Sequence, residues 1–172
     1  MSKKIVITGG IGYIGTELCK IYSGISWNNE VLVIDNRFIS ERVNQLRNWG
    51  IDYIHGDILD KDLVYKYCKD ADVVHHLAGI TDVPRVKSES NVEKDSQIKL
   101  VGEEGTKNIL DVISDKCKII FPSTHVVYEG IDKIKKDILE NDDTRPLLSY
   151  AKSKDANEKQ LQNSGKNYII LR

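Results

Sequence analysis

The chain has 172 residues, 40% of them hydrophobic and 30% charged, which is enough for one domain with a real core and excludes a disordered or fibrous chain. Lys plus Arg number 25 and Asp plus Glu 26, so no basic excess points to nucleic acid. The Lys3-Lys4 pair precedes an apolar run that stops at Thr8, too short for a signal peptide or a membrane span, and Cys19, Cys68 and Cys117 form no CxxC; a reduced, cytoplasmic protein with no metal is the simplest reading.

The first strand is expected at Lys4–Thr8, built on Ile5, Val6 and Ile7. Directly behind it stands TGGIGYIG, Thr8 to Gly15. A helix is expected over Gly12–Tyr22, with Ile14, Leu18 and Ile21 on one face. Next come a strand at Val31–Asp35, a helix at Ser40–Trp49, a strand at Asp52–Ile54, a helix at Asp60–Lys69 and a strand at Val73–Ala78. A long helix, Val92–Ser114, carries Ile98, Val101, Ile109 and Val112. The strand Lys118–Ser123 leads into a polar stretch, Glu129–Arg145, expected as a surface loop with a short helix. The helix Ser149–Asn163 follows Pro146, and Tyr168–Leu171 is the last strand. The strands are rich in Val and Ile, and the helices repeat their apolar residues at a 3.6-residue period. Strand-helix alternation predicts an α/β fold: a parallel sheet covered on both faces, doubly wound in the order 3-2-1-4-5-6. Residues 1–172 are read as one such Rossmann domain.

Gly9, Gly12 and Gly15 form GxxGxxG between a strand and a helix. Glycines there allow a tight turn, close approach of a pyrophosphate and close packing of helix on strand. The first-turn N–H groups, at Tyr13, Ile14 and Gly15, together with the helix dipole attract phosphates. A glycine-rich turn without a ligand is the competing reading. Asp35 follows Gly15 by 20 residues and ends the second strand. A carboxylate there can accept the hydroxyls of an adenosine ribose and repels a 2′-phosphate, which favours NAD over NADP. Arg37 tempers that preference, and the pair Asp35-Asn36 also reads as a plain turn.

The series TGGIGYIG, VIDNR, GDI at Gly56–Ile58, HHLAG at His75–Gly79, PSTHVVYEG at Pro122–Gly130 and PLLSYAKSK at Pro146–Lys154 resembles the extended short-chain dehydrogenase/reductase superfamily. Within it, the chain is similar to the NAD-dependent epimerase/dehydratase family acting on nucleotide sugars. The resemblance implies that Asn36 lines the adenosine site and that Asp57, with Ile58, contacts the adenine. It places Leu77, Ala78 and Gly79 beside the riboses. His76 is read as a packed strand residue. The resemblance also implies a UDP-sugar substrate and a homodimer through the helices Val92–Ser114 and Ser149–Asn163. Relatives continue past the equivalent of YIILR into a domain that binds the nucleotide sugar, so residues 1–172 are expected to be a part truncated before that domain.

Tyr150 and Lys154 form YxxxK, which puts both side chains on one helical face. A cation beside a phenol lowers its pKa, so Tyr150 is expected to take a proton from a sugar hydroxyl as hydride leaves for the nicotinamide. Lys154 is also expected to hold the nicotinamide ribose. A second copy, Tyr65 and Lys69, sits in an earlier helix and reads as an ordinary amphipathic face. By the resemblance, the third catalytic group is Thr124, four residues before Tyr128, with Ser123 as the alternative; strand-end capping is the structural reading of both. In the dehydratase branch, Asp and Glu follow that Thr. Here His125 and Val126 do, which disfavours elimination and favours a 4-epimerase with NAD retained. Gly102 stands where the family has an Asn near its long-helix GT. Two other readings stay open: a different oxidoreductase of the superfamily, and a non-catalytic NAD(H)-binding module.

Overall fold

The structure, a computed structural model, describes residues 2–25, 29–81, 91–131 and 136–172. Six parallel strands form one sheet: β1 Lys4–Thr8, β2 Glu30–Asp35, β3 Asp52–His55, β4 Val73–His76, β5 Lys118–Pro122 and β6 Asn167–Leu171. Their order is β3-β2-β1-β4-β5-β6, as the sequence pattern predicts. The helices are α1 Tyr13–Gly24, α2 Ser40–Asn48, α3 Lys61–Cys68, α4 Val92–Val112 and α5 Ser149–Asn163.

Alternation along each strand divides the core in two. Ile5, Ile7, Val31 and Val33 face one side, where Cys19 of α1 and Leu46 of α2 cover them. Val6, Leu32, Ile34, Val74, Ile119 and Phe121 face the other, under Val64 of α3, Ile109 of α4 and Leu161 of α5. A strand buried on both faces has no polar side to show, which is why these segments read as nearly continuous apolar runs. All three cysteines are free and buried as small apolar side chains.

Boundaries shift where polar groups redirect the backbone. The strand expected to reach Ala78 ends at His76, because the Ala78 N–H leaves the ladder and donates to Thr8 Oγ1 at 3.2 Å. β5 ends at Pro122, one residue short of Ser123, whose N–H still donates to the Leu171 carbonyl while its hydroxyl turns to Glu158. Asp60 lies outside α3 and caps it, accepting from the N–H groups of Asp62 and Leu63 at 3.1 Å each. The stretch Glu129–Arg145 contains no helix among its described residues; instead, a 3-10 turn, His125–Tyr128, precedes it. The long helices α4 and α5 pack closely because Gly102 leaves room for Ser153, whose hydroxyl donates to the Ile98 carbonyl at 3.3 Å.

The turn from β1 into α1 packs backbone against backbone. Gly9 has φ +70°, and a Cβ there would lie 2.7 Å from the Ala78 nitrogen. A Cβ on Gly15 would lie 2.6 Å from the Gly10 Cα. Both contacts are with backbone, which cannot swing aside. Gly15→Ala is therefore expected to cost about 1–3 kcal/mol, read from urea unfolding; wild-type stability would contradict this packing.

Two imidazoles lie under the strand ends. His76 is buried between Thr8 and Thr106, with Nδ1 2.9 Å from Thr8 Oγ1 and Nε2 3.0 Å from Thr106 Oγ1. His75 points the other way, with Nε2 2.7 Å from the Tyr22 hydroxyl. His76 is thus a packed strand residue, and burial pushes its pKa down to about 3 and that of His75 to about 4. Both values lie below the unfolded 6.5, so the unfolded chain binds protons first as pH falls. Their stabilising effect is complete above pH 6.5 and fades as pH drops towards those values. Between about pH 6.5 and pH 5, each imidazole should remove up to about 1.4 kcal/mol per pH unit. Urea midpoints should fall over that range, and less so in His76→Gln. A flat profile would contradict the buried neutral rings.

Candidate functional site

The C-terminal ends of β1, β2 and β4 open onto a cavity of about 720 Å³. Its wall contains the residues expected to hold a cofactor: Gly9, Gly12, Tyr13, Ile14 and Gly15, then Asp35 and Asn36, then Asp57 and Ile58, then Leu77, Ala78 and Gly79. Tyr150 and Lys154 stand at the same cavity, with Pro122 and Ser123 from the end of β5.

Gly12 is the N-cap of α1 and offers no side chain to its first N–H groups. The capping residues of α3 and α4, Asp60 and Asn91, do accept from theirs. The start of α1 therefore presents backbone donors at the cavity, with the positive end of the helix dipole behind them. Tyr13 and Ile14 are largely exposed there.

Asp35 is 5% exposed and does more than end a strand. Its Oδ2 accepts from the Ile11 N–H at 3.2 Å, which ties the glycine turn to β2. Arg37 grips the carboxylate in a fork, Nε to Oδ1 and Nη2 to Oδ2, both 3.1 Å, and its own N–H reaches Oδ1 at 3.0 Å. The pairing raises the Arg37 pKa. Four donors occupy a carboxylate with about four lone-pair sites, so a ribose hydroxyl reaches Asp35 only as Arg37 yields. The sequence shows Arg37 close by but not this fork. Asn36 Nδ2 donates to Asp57 Oδ2 at 2.9 Å, while Asp57 Oδ1 accepts from the Leu59 N–H at 2.9 Å. Asp57 is thus both a turn aspartate and a wall of the cavity.

At the other end, the geometry departs from expectation. Lys154 does not point at the Tyr150 hydroxyl. Its Nζ donates to the Pro122 carbonyl at 2.8 Å and lies 4.4 Å from the centre of the Phe121 ring, against 5.9 Å from that of Tyr150. Burial brings the Lys154 pKa down to about 8, with Glu158 opposing the shift. Burial raises the Tyr150 pKa instead of lowering it. The expected tuning of the phenol by Lys154 is absent from this arrangement, because the ammonium spends its charge on a carbonyl and a ring.

Thr124 is not on the cavity wall. It caps the 3-10 turn, its Oγ1 accepting from the Val126 N–H at 3.2 Å, and Ser123 takes the wall position. The other YxxxK copy is an outer helical face: Tyr65 is 54% exposed with Lys69 stacked at 4.8 Å. Sequence reasoning missed Glu158. It is buried one turn after Lys154 and accepts from Ser123, and its only sequence signal is an acidic residue on the Tyr150–Lys154 face.

The residues fit a dinucleotide by two observations. The first N–H groups of α1 stand at the cavity with no side chain capping them, and one cavity is lined from that turn to Tyr150 and Lys154. Among the described residues, no helix is long and apolar enough to cross a membrane.

Comparison with known proteins agrees with the fold. The chain is 32% identical over 130 residues to the UDP-N-acetyl-alpha-D-glucosaminuronate decarboxylase of Bacillus cytotoxicus, an alignment covering 74% of this chain and 38% of that protein. It is 32% identical over 143 residues to the CDP-paratose 2-epimerase of Salmonella typhi, covering 77% and 40%. Among solved structures, UDP-glucose 4-epimerase from Brucella ovis in complex with NAD superposes with a TM-score of 0.78 at 26% identity, over 99% of this chain and 51% of that one. The chain thus spans about two fifths of these curated relatives and half of that structure. The model of the 3-beta hydroxysteroid dehydrogenase/isomerase family matches residues 6–169. The chain belongs to that family, within the extended short-chain dehydrogenases/reductases, and its relatives include nucleotide-sugar epimerases, a dehydratase and a decarboxylase.

Proposed function

We propose that these 172 residues form the cofactor-binding and catalytic part of an NAD-dependent nucleotide-sugar epimerase. The observation that carries this reading is the single cavity joining the glycine turn of α1 to Tyr150 and Lys154. NAD is the proposed cofactor. Its pyrophosphate would be held by the Gly9–Gly15 turn, its adenosine between Asp35, Asn36, Asp57 and Ile58, and its riboses along Leu77, Ala78 and Gly79. Bound NAD would supply reversible hydride acceptance; the rest of the chemistry falls to side chains.

Tyr150 is the proposed proton acceptor for a sugar hydroxyl. Its burial favours the neutral phenol, so its activation depends on where the Lys154 charge sits. A ligand hydroxyl that draws Lys154 from the Pro122 carbonyl would bring the ammonium into play. Ser123 or Thr124 would orient the sugar oxygen; Ser123 already stands on the wall, whereas Thr124 must leave its cap. His125 and Val126 supply no acid-base pair for elimination, which favours epimerisation over dehydration.

The proposed substrate is a UDP-sugar, in line with relatives such as the UDP-glucuronic acid 4-epimerase of Bacillus cereus, solved with UDP-glucuronic acid and NAD. A homodimer would form on the outer sides of α4 and α5, with Val92 and Leu100 exposed on α4. A reductase with freely exchanging coenzyme is distinguished by steady consumption of added NADH with a carbonyl compound.

Two variants test the assignment. Asp35→Ala should weaken NAD binding about ten- to a hundredfold, since a hydrogen bond to a charged group contributes about 1.5–3 kcal/mol net; unchanged calorimetric affinity would remove Asp35 from the site. In an active, complete form that includes the sugar-binding domain, Tyr150→Phe should keep NAD binding and abolish reduction of bound NAD by UDP-sugar, followed by the absorbance of the reduced nicotinamide. Undiminished reduction would reject Tyr150 as the proton acceptor.

A further inference from the structure

Besides Lys154, α5 buries two charged side chains that the proposed chemistry does not use, Asp155 and Glu158. Glu158 is 2% exposed and lies one turn after Lys154. Its carboxylate accepts from the Ser123 hydroxyl. Arg172, at the end of β6, holds the same carboxylate through Nε at 3.0 Å to Oε2 and Nη2 at 2.6 Å to Oε2. Arg172 Nη1 also donates to the Tyr128 hydroxyl, and to the Glu140 carbonyl at 2.7 Å. The next residue back along β5, Pro122, gives its carbonyl to Lys154. A cation and an anion on one helical face therefore hold consecutive residues, Pro122 and Ser123, immediately before Thr124.

We infer that Glu158 is a positioning residue for this site: it fixes the end of β5 through Ser123 and, balanced by Arg172, sets the charge that Lys154 faces. The inference deepens the proposed function and rests on Lys154 serving the same cavity. A buried carboxylate held this way favours the protonated amine one turn away, and Arg172 limits how strongly it does so. A purely structural clamp would make both partners interchangeable in effect. A charge balance gives them opposite signs.

Few other groups face Lys154. On α5 they are Tyr150 and Glu158, on β4 His76, and beyond β6 Arg172 acting through Glu158. Phe121 and Pro122 of β5 carry no charge, nor do Gln97 and Val101, which α4 brings to the cavity. The pKa of His76 is about 3, so it stays neutral in the range where Lys154 titrates.

The test is a carbon NMR titration of the Lys154 ε-carbon, assigned with Lys154→Arg, in the wild-type chain and in three variants. Glu158→Gln should move the Lys154 midpoint down by about one pH unit, and Arg172→Gln should move it up. Arg172→Lys, which keeps the charge, should leave it near the wild-type value. Shifts of the same sign in the two Gln variants, or no shift in either, would overturn the inference, whatever the change in thermal stability. If Glu158→Gln does not fold, Arg172→Gln still decides: an unchanged or lowered midpoint rejects the charge balance. The same samples are then titrated with NAD. A wild-type chain that ignores NAD refutes the proposed function, while the Lys154 midpoints separately judge Glu158.

Discussion

Backbone crowding at the end of β1 constrains everything around the cavity. The chain leaves the strand at Gly9 against Ala78, and the first turn of α1 packs Gly15 against Gly10, with no space for a side chain at either contact. That closeness lets α1 begin at the sheet surface with its first N–H groups uncapped by any side chain. It also brings the Ile11 N–H within reach of Asp35, so the turn and the end of β2 share one carboxylate. A larger residue in the turn would lift α1 off the sheet and separate the backbone donors from the acid that completes the site.

The far side of the cavity rests on a different principle. α5 buries Ser153, Lys154, Asp155, Asn157 and Glu158 in succession, an unusual density of polar groups for a helix packed on a sheet. Most are held by named partners: Ser153 by the Ile98 carbonyl, Lys154 by the Pro122 carbonyl, Asp155 by Thr144 and Lys159, and Glu158 by Ser123 and Arg172. Burying charges is costly unless each finds such a partner. The arrangement fixes α5 against the ends of β5 and β6 and leaves Tyr150 at its first turn, where the cavity begins.

The fold was legible because its inner strands are buried on both faces and its helices on one. Segments such as Ile5–Ile7 and Val31–Ile34 alternate between two cores without a polar face, and the sheet order followed from their spacing by helices. The glycine turn could be read because its glycines are required by contacts local to the turn and the adjacent strand. What stayed hidden depends on side-chain direction. Nothing in the sequence shows that Arg37 turns back onto Asp35, that Lys154 reaches Pro122 instead of Tyr150, or that Ser123 faces the cavity while Thr124 caps a 3-10 turn. Glu158 and Arg172 are far apart in sequence and meet only because β6 pairs with β5 beside α5. Such long-range electrostatic partners leave no periodic trace.

The central claim is that the α1 turn, the Asp35 end of β2 and the Ala78 end of β4 together receive NAD. Backbone amide NMR of the chain titrated with NAD tests it most directly. The account predicts saturable shifts concentrated at Gly9–Gly15, Arg37 and Ala78–Gly79. A folded protein whose amides at those positions stay unmoved at millimolar NAD would contradict it.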